Sequence, residues 1–249
     1  MARALPRLRR QRKPCDNLGM AIAGEIRAGL RPLLNLVYPP RCPACGVALA
    51  VQGGLCVDCW GKLEAPENGP HAAREDAASA GAQIIAPFVY NDISRDLVLG
   101  LKHGGKVSLA SLMGQMMAAK LDEADADERP LLVPVPLHWM RLWKRGYNQA
   151  ALLAQEIAKA GKGELCVDAL ERQKRTPSLG GLNKTQRRKA LEGAITVRRS
   201  QAVTVHGRDV LLVDDVYTSG ATSSACVDAL IERGAKSVRI VCFARVLNA

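Results

Sequence analysis

The order of apolar and polar residues changes along the chain and predicts the secondary structure of most of it. Apolar runs of strand length occur at residues 83–90, 130–136, 193–197, 208–215 and 237–246. Apolar residues at helical spacing occur at residues 92–102, 106–121, 148–160 and 221–233. Because strands and helices that alternate along a chain usually build a parallel sheet covered by helices, this pattern predicts an α/β fold.

The first third of the chain is less regular and divides into three segments. Residues 1–38 combine a basic tail with an amphipathic helical pattern that Pro32 interrupts. Residues 39–63 form a cysteine-containing unit of their own. Residues 64–82 are polar and rich in Ala, Gly and Pro, which is typical of a linker or a mobile loop. We therefore expect one α/β domain over residues 83–249.

Charge narrows the choice of partners. The chain of 249 residues has a formal net charge of +11, and residues 1–14 contribute five Arg and one Lys without any acid. An excess of positive charge favours phosphate compounds or nucleic acid as partners. Because no run of about 18 apolar residues occurs, we expect a cytoplasmic protein without membrane contact. An Arg-rich start that lacks acids is also typical of an organellar transit peptide.

Four cysteines form two CxxC pairs, Cys42 with Cys45 and Cys56 with Cys59. Two such pairs, here ten residues apart, can wrap one tetrahedral Zn²⁺ with four thiolates. Since four protein ligands leave no open position, we expect a structural zinc that supplies folding energy to a small module. Paired disulfides, a redox site and a zinc ribbon that touches nucleic acid are the alternatives.

Two adjacent acids, Asp214 and Asp215, follow an apolar quartet at 210–213 and precede small hydroxylated residues and a helical pattern. Ligands of parallel sheets bind beyond the carboxyl ends of the strands, so we expect both carboxylates to face solvent and a ligand. The backbone amides that follow, at the start of a helix, favour an anion. The predicted phosphate-binding residues are Val216, Tyr217, Thr218, Ser219, Gly220, Ala221 and Thr222.

Acceptors for hydroxyl groups beside donors for phosphate fit a ribose 5-phosphate, with the carboxylates on the 2- and 3-hydroxyls. The stretch 210–222 resembles the signature of type I phosphoribosyltransferases, which use phosphoribosyl pyrophosphate (PRPP). That resemblance implies Asp214 and Asp215 as catalytic residues. The alternative is a capped helix after a strand whose acids are merely exposed.

Three further segments extend the likeness to the ComF family of phosphoribosyltransferase-like proteins. They are LVLGLKHGGK at 97–106, LLVPVPLHWMRLWKRGYNQAALLA at 131–154 and RQKRTPSLGGLNKTQRRKALEGAI at 172–195. With the four cysteines, the likeness covers roughly residues 30–246. It implies a type I phosphoribosyltransferase fold with a small hood and an amino-terminal zinc-ribbon-like module. It also implies a role, in some bacteria, in natural competence and the uptake of DNA.

The segment after residues 134–136 resembles the pyrophosphate loop of phosphoribosyltransferases. Arg145, which we also expect to act in catalysis, offers a planar fork for phosphate oxygens, and Gly146 permits close backbone approach. Asn148 is expected to cap the next helix, and Lys102 is within plausible reach of a phosphate. The alternative for these basic residues is a solvated helix face.

The polar loop at 172–193 is expected to close over the reactive sugar, with contacts from Thr176 and Arg187. Mg²⁺ usually neutralises the departing pyrophosphate and is held through the oxygens of the ligand and waters, so we expect Mg²⁺ with PRPP. The family commonly has Gln where this loop has Leu179, a departure that bears on whether catalysis is retained.

Two functions of different class follow. The first is an enzyme that transfers the ribosyl phosphate of PRPP to an acceptor that the sequence does not name. The second is a binding protein that keeps the PRPP pocket and works with single-stranded DNA or a helicase in DNA uptake. Aromatic residues make up only 4% of the chain, which argues against base stacking and favours electrostatic, salt-dependent contact with DNA.

Overall fold

A computed structural model describes the chain over residues 39–67, 69–72, 82–103, 105–123, 128–173 and 193–247. The basic tail and helix predicted at 1–38 lie outside these residues. None of the described helices is both long and apolar enough to cross a bilayer.

Seven strands of the described chain form one central sheet with the order β1-β2-β9-β8-β4-β5, in which β3 also pairs with β9. All of its pairings are parallel except that of β1 with β2. The strands are β1 His71–Ala72, β2 Ile84–Ile85, β3 Phe88–Val89, β4 Leu131–Pro134, β5 Glu164–Leu165, β8 Asp209–Tyr217 and β9 Ser237–Arg245. The predicted parallel α/β fold is therefore confirmed.

Helices cover both faces of this sheet. The helices α2, α3 and α5 pack on one face, and α7 packs on the other. The helices are α1 Val57–Gly61, α2 Asp92–His103, α3 Leu109–Ala118, α4 Trp139–Arg145, α5 Gln149–Lys159, α6 Ala202–Val205 and α7 Ala221–Glu232. A short 3-10 turn, Arg199–Gln201, precedes α6.

The central strand β8 is buried on both faces because its apolar residues alternate between two cores. Val210 and Leu212 join the core on the α7 face, whereas Leu211 and Val213 join the core on the α2 face. The apolar run predicted a strand at 208–215, but the strand continues to Tyr217 through its pairing with β9.

A two-stranded antiparallel hairpin covers part of the α7 face. It consists of β6, Leu170–Arg172, and β7, Ile195–Val197, whose apolar side chains join the core on that face. The basic loop predicted at 172–193 connects these two strands, and its residues 174–192 lie outside the described chain.

The cysteine-containing segment packs on the α2 side of the domain. Ala44, Leu55 and Leu63 contact the core on that face. The segment predicted as a linker at 64–82 contributes to the sheet, because the amide of Val89 donates to the Glu64 carbonyl at 2.8 Å. Its strand β1 also extends the sheet beyond β2, so this part of the chain is a sheet edge.

Candidate functional site

The adjacent aspartates of β8 lie on opposite faces of the sheet, since successive side chains of a strand alternate. Asp214 lies on the α7 face, where burial and its charge raise the pKa of the Cys226 and Cys242 thiols. Asp215 lies on the α2 face beside Lys102. Alternation therefore separates two like charges that are neighbours in the sequence.

Asp215 forms an ion pair with Lys102, whose Nζ lies 3.0 Å from Asp215 Oδ2. The expectation that both acids face solvent is wrong for Asp215, which is only 2% exposed. The helix α2 packs over this part of β8 and places Lys102 in its last turn. Asp215 Oδ2 accepts no hydrogen bond of good geometry within the described chain. The nearby ammonium group of Lys102 instead compensates the negative charge of this carboxylate.

Asp214 is half-buried, and its Oδ1 accepts a hydrogen bond of 2.9 Å from the backbone amide of Asp215. Burial and the adjacent charge of Asp215 raise the pKa of Asp214 to about 7, against the opposing effect of Lys102. A carboxyl group with this pKa changes its protonation state near neutral pH. Asp214 is thus a hydrogen-bond acceptor whose strength responds to pH and to a ligand.

The loop after β8 leads into a helix end without a side-chain cap. Gly220 precedes α7 in a left-handed conformation with φ +72°. A Cβ at Gly220 would collide with the hydroxyl of Tyr217, so this position requires glycine. By contrast, His138 and Asn148 cap α4 and α5 with their side chains. The start of α7 therefore offers backbone amides of the kind that bind an anion.

The segment after β4 lies beside the strand β8. The amide of Val135 donates to the Val213 carbonyl at 2.9 Å, which ties the segment to β8 just before the aspartates. Asn148 caps α5 as predicted, because its Oδ1 accepts from the Ala150 amide at 3.0 Å. Its Nδ2 also donates to the Val135 carbonyl at 3.0 Å, which closes the loop on itself.

Arg145 and Gly146 end the helix α4. Gly146 adopts φ +82°, and no other atom lies within 4 Å of the position that a Cβ would occupy. Glycine is therefore favoured here by the left-handed backbone conformation that ends the helix, not by a lack of space. Arg145 donates to the side chain of Gln149. The neighbouring Tyr147 donates its hydroxyl to the Leu101 carbonyl, which joins this segment to the helix that carries Lys102.

Of two arginines at the site, Arg245 was missed by the sequence analysis, and Arg172 was included only as the first residue of the predicted loop at 172–193. Arg245 ends β9 directly beside Tyr217 and is 7% exposed. Its Nη2 donates to the Gly69 carbonyl at 3.4 Å, and its Nε has no partner within the described chain. Arg172 ends β6, where burial and nearby Arg141 lower its pKa. A cation at the carboxyl end of the apolar strand β9 was the available signal for Arg245.

The predicted contacts Thr176 and Arg187, and the departure at Leu179, lie outside the described chain. Arg172, the residue at the start of this loop, lies on the same face of the sheet as Asp214. The charges of both residues shift the pKa of the Cys226 thiol, in opposite directions.

The four cysteines of the two CxxC pairs converge as predicted. Their Sγ atoms all lie within 4.8 Å of one another, and those of Cys45 and Cys56 are 3.6 Å apart. Ligands about 2.3 Å from a tetrahedral zinc lie about 3.8 Å from each other, so the arrangement fits Zn²⁺. Cys59 also donates its amide to Cys56 Sγ at 3.4 Å, as expected when this sulfur carries negative charge.

The thiols of this cluster differ in acidity. Burial raises the pKa of Cys42, but hydrogen bonds from the amides of Cys45, Cys56 and Ala44 outweigh it and lower the pKa to about 6. Burial and the surrounding sulfurs raise the pKa of Cys59. A metal ion that binds all four thiolates would offset the repulsion among them.

The zinc module is joined to the helix that carries Lys102. Asn91, just before α2, donates its Nδ2 to the Lys62 carbonyl at 2.8 Å. After α2, Lys106 Nζ donates to the Pro43 carbonyl at 3.1 Å. Because both ends of α2 contact the module, folding of the module helps to position Lys102.

Two families match this chain. Residues 33–72 match the family described as "Double zinc ribbon domain". Residues 75–248 match the family described as "Phosphoribosyl transferase domain". These matches agree with the cysteine cluster and with the parallel sheet, and they confirm the predicted combination of a zinc module with a phosphoribosyltransferase fold.

Curated relatives have names that agree with the predicted ComF resemblance and confirm it. "DNA utilization protein YhgH" of Escherichia coli (strain K12) is 26% identical over 210 residues, which cover 83% of this chain and 84% of the relative. "Competence protein ComFC" of Bacillus subtilis (strain 168) is 26% identical over 82% of this chain and 77% of the relative. "Competence protein F" of Haemophilus influenzae is 34% identical over 46% of this chain and 49% of the relative.

Proposed function

The chain belongs to the phosphoribosyltransferase domain family, and on this premise we propose that it binds PRPP, or another ribose 5-phosphate compound, through residues 210–222. The observation that carries the proposal is that Asp214 lies on the α7 face of β8, on the same strand-to-helix connection as the start of α7, where Gly220 provides no side-chain cap. Acceptors for the hydroxyls of a sugar and donors for its phosphate then lie on one strand-to-helix connection.

In this proposal Asp214 accepts hydrogen bonds from the 2- and 3-hydroxyls of the ribose. Asp215 is buried, so it supports this site chiefly through its ion pair with Lys102. Lys102 is consequently a compensating cation rather than a free phosphate ligand. The amides from Val216 to Thr222 receive the 5-phosphate, with Gly220 allowing the chain to turn around it.

The charge of the pyrophosphate requires cations on the other side of the sugar. Arg145 with Gly146 after α4, and Arg172 at the end of β6, are the proposed contributors. Mg²⁺ bound by the oxygens of PRPP would add further positive charge there. The proposal also assigns Thr176 and Arg187 to contacts made when the loop closes.

If the protein is an enzyme, the bond from C1 of the ribose to the pyrophosphate oxygen breaks and pyrophosphate leaves with the electron pair. A lone pair of the acceptor then forms the new bond to C1. The hydrogen bonds at the diol hold the sugar while positive charge develops on it. Exclusion of water by the loop would favour the acceptor over hydrolysis.

The second candidate is a binding protein that keeps this pocket and works with single-stranded DNA or a helicase in the cytoplasm. The relatives whose names refer to DNA utilization and competence support a relation to DNA uptake. The net charge of +11 is consistent with a polyanionic partner. The two candidates are compatible, because a phosphate pocket can also sense a metabolite.

Calorimetric titration with Mg-PRPP, followed by assays of pyrophosphate release with a panel of amines and bases, tests the proposal. We expect PRPP to bind to the wild type and to lose most of its affinity for Asp214→Asn. Asp92→Asn, which changes an exposed acid on α2, is the control and should bind normally. Release of pyrophosphate with one acceptor supports the enzyme, and binding without release across the panel supports the second candidate. A wild type that binds no PRPP contradicts both.

A further inference from the structure

The helix α4 lies on the surface and contains no buried residue. Trp139 is 67% exposed and Trp143 is 87% exposed, and Met140 and Leu142 between them are exposed as well. Large apolar side chains are normally buried, so a contiguous exposed group of them marks a binding surface. We refer to residues 139–145 as the tryptophan helix.

The two tryptophans are spaced to act together. Residues four positions apart in a helix lie on one face, about 5–6 Å apart at Cβ, so Trp139 and Trp143 present their rings side by side. His138 caps the helix, and its ring lies 5.6 Å from that of Trp139 at an angle of 36°. This contact restrains one of the two rings. Two flat rings on one face offer successive platforms for stacking planar groups.

Positive charge surrounds these rings. Arg141, Lys144 and Arg145 alternate with the apolar residues of the tryptophan helix. The sequence contains no aspartate or glutamate between Glu128 and Glu156, so no acid of this segment reduces that charge. A ligand that matches this surface combines flat apolar groups with a repeating negative charge.

We propose that the tryptophan helix binds single-stranded nucleic acid. Unpaired bases stack on Trp139 and Trp143, while Arg141 and Lys144 contact the phosphates on either side. The low aromatic content of the chain predicts a mainly electrostatic contact with DNA, and this inference adds stacking on two exposed rings to that contact. All three tryptophans of the chain are exposed, with Trp60 at 54%.

The charge pattern favours a nucleic acid over the two other occupants of such a helix. Interfaces between proteins share the tryptophan, methionine and arginine of this helix, so the choice rests on the uninterrupted positive charge between Glu128 and Glu156, which matches a polyanion. An anionic lipid surface would match the charge, but this helix has only seven residues, about two turns. An extended strand of unpaired nucleotides can pass over a short helix in a way that a planar bilayer cannot.

The affinity of the full, zinc-loaded chain for a fluorescent dT20 oligonucleotide, measured by fluorescence anisotropy, tests the inference. We expect Trp143→Ala to weaken binding by about 5- to 150-fold, which is the loss of affinity that corresponds to one stacked base. Trp60→Ala, which removes an exposed tryptophan outside the tryptophan helix, is the matched control and should retain the affinity of the wild type. Trp60→Ala should also bind Mg-PRPP as the wild type does if that proposal holds, since Trp60 lies outside the segments that are proposed to bind PRPP.

An abasic chain with the same number of phosphates separates stacking from charge. It should bind the wild type more weakly than dT20 and should not distinguish the wild type from Trp143→Ala. Replacing both Arg141 and Lys144 with Gln should reduce the slope of log affinity against log salt by about 1.4.

The inference is wrong if Trp143→Ala binds dT20 as tightly as Trp60→Ala does. It is also wrong if the wild type has equal affinity for the abasic chain and for dT20. Binding of anionic vesicles that Trp143→Ala weakens, while its binding of dT20 is unchanged, would assign the tryptophan helix to a lipid surface instead. The inference rests on the second candidate function, for which it supplies a nucleic-acid surface, and it does not depend on PRPP. Loss of PRPP binding alone contradicts the proposed function and leaves this one intact.

Discussion

Lys102 and Asp215 form an ion pair of 3.0 Å between the last turn of α2 and the middle of the sheet. This pair explains how two aspartates can be adjacent at the end of a buried run. One of them is compensated by a cation on the α2 face. The other, Asp214, lies on the opposite face with its pKa raised to about 7, so the two charges are not fully developed together at neutral pH.

Loss of the cation should therefore destabilise the fold. Lys102→Met leaves a buried carboxylate without compensation, and we expect the free energy of unfolding in urea to fall by about 3–5 kcal/mol. Asp215→Asn in the same chain should recover most of this loss, since it removes the stranded charge. Lys120→Met, at an exposed position after α3, is the control and should be close to neutral. Equal stability of Lys102→Met and the control would show that the ion pair is not structural.

The raised pKa of Asp214 predicts a pH dependence of stability with a definite sign. The unfolded chain ionises Asp214 near its ordinary value of 3.8, whereas the folded protein retains the proton up to about 7. The stability gained from this proton is complete below about pH 4 and is lost as the pH rises through about 7. Urea unfolding of the wild type and Asp214→Asn at several pH values from 4 to 8 measures the difference.

The matched control for this experiment is Asp209→Asn on the same strand. Hydrogen bonds from Ser237 and Lys236 lower the pKa of Asp209, so its contribution is lost only as the pH falls through that lowered value. Asp209→Asn should therefore keep the wild-type slope between pH 5 and 8, while Asp214→Asn should lose part of it. The same slope in all three proteins would mean that Asp214 ionises normally.

The zinc module provides a prediction about metal content and stability. The wild type should release one zinc ion per chain when it is unfolded with a chelator, because the four thiolates form a single cluster among the described residues. Cys45→Ser should release less zinc and should melt at a lower temperature. Cys166→Ser changes a buried thiol outside the cluster and should keep its zinc. Full zinc content in Cys45→Ser would contradict the assigned ligands.

Gly220 and Gly207 have the same backbone conformation, φ +72°, but different surroundings. Gly207→Ala should cost about 1 kcal/mol for the left-handed conformation alone, since nothing lies near its Cβ. Gly220→Ala should cost more, because its Cβ also displaces Tyr217, and it should weaken the binding of PRPP. Urea unfolding and calorimetry of both variants measure the two effects. Equal losses in the two variants would remove the special role of Gly220.

Local patterns predicted the elements that carry the site, and tertiary packing decided how the side chains are exposed. The apolar run before Asp214 predicted β8, and the cysteine spacing predicted the metal cluster. The burial of Asp215 depends on α2 packing over β8, and no local pattern contains that information. Arg245 was missed for a similar reason, since its neighbours come from β8 and from the segment near Gly69.

The tryptophan helix was not predicted from the sequence, because regular helical spacing of apolar residues arises only in helices that bury one face. A helix without a buried face has no reason to place its apolar residues at regular spacing, and α4 has apolar residues at four of its first five positions. The short strands β5 and β6 were missed because two or three residues carry too little alternation to detect.

The central claim is that Asp214 accepts the hydroxyls of a ribose whose phosphate lies at the start of α7. Calorimetric titration of the wild type with ribose 5-phosphate and with 2-deoxyribose 5-phosphate tests it most directly, because the two ligands differ by one hydroxyl. A hydrogen bond to a charged group contributes about 1.5–3 kcal/mol, so the ribose compound should bind about 10- to 150-fold more tightly, and Asp214→Asn should remove most of that preference. Equal affinity of the wild type for the two sugars would contradict the account.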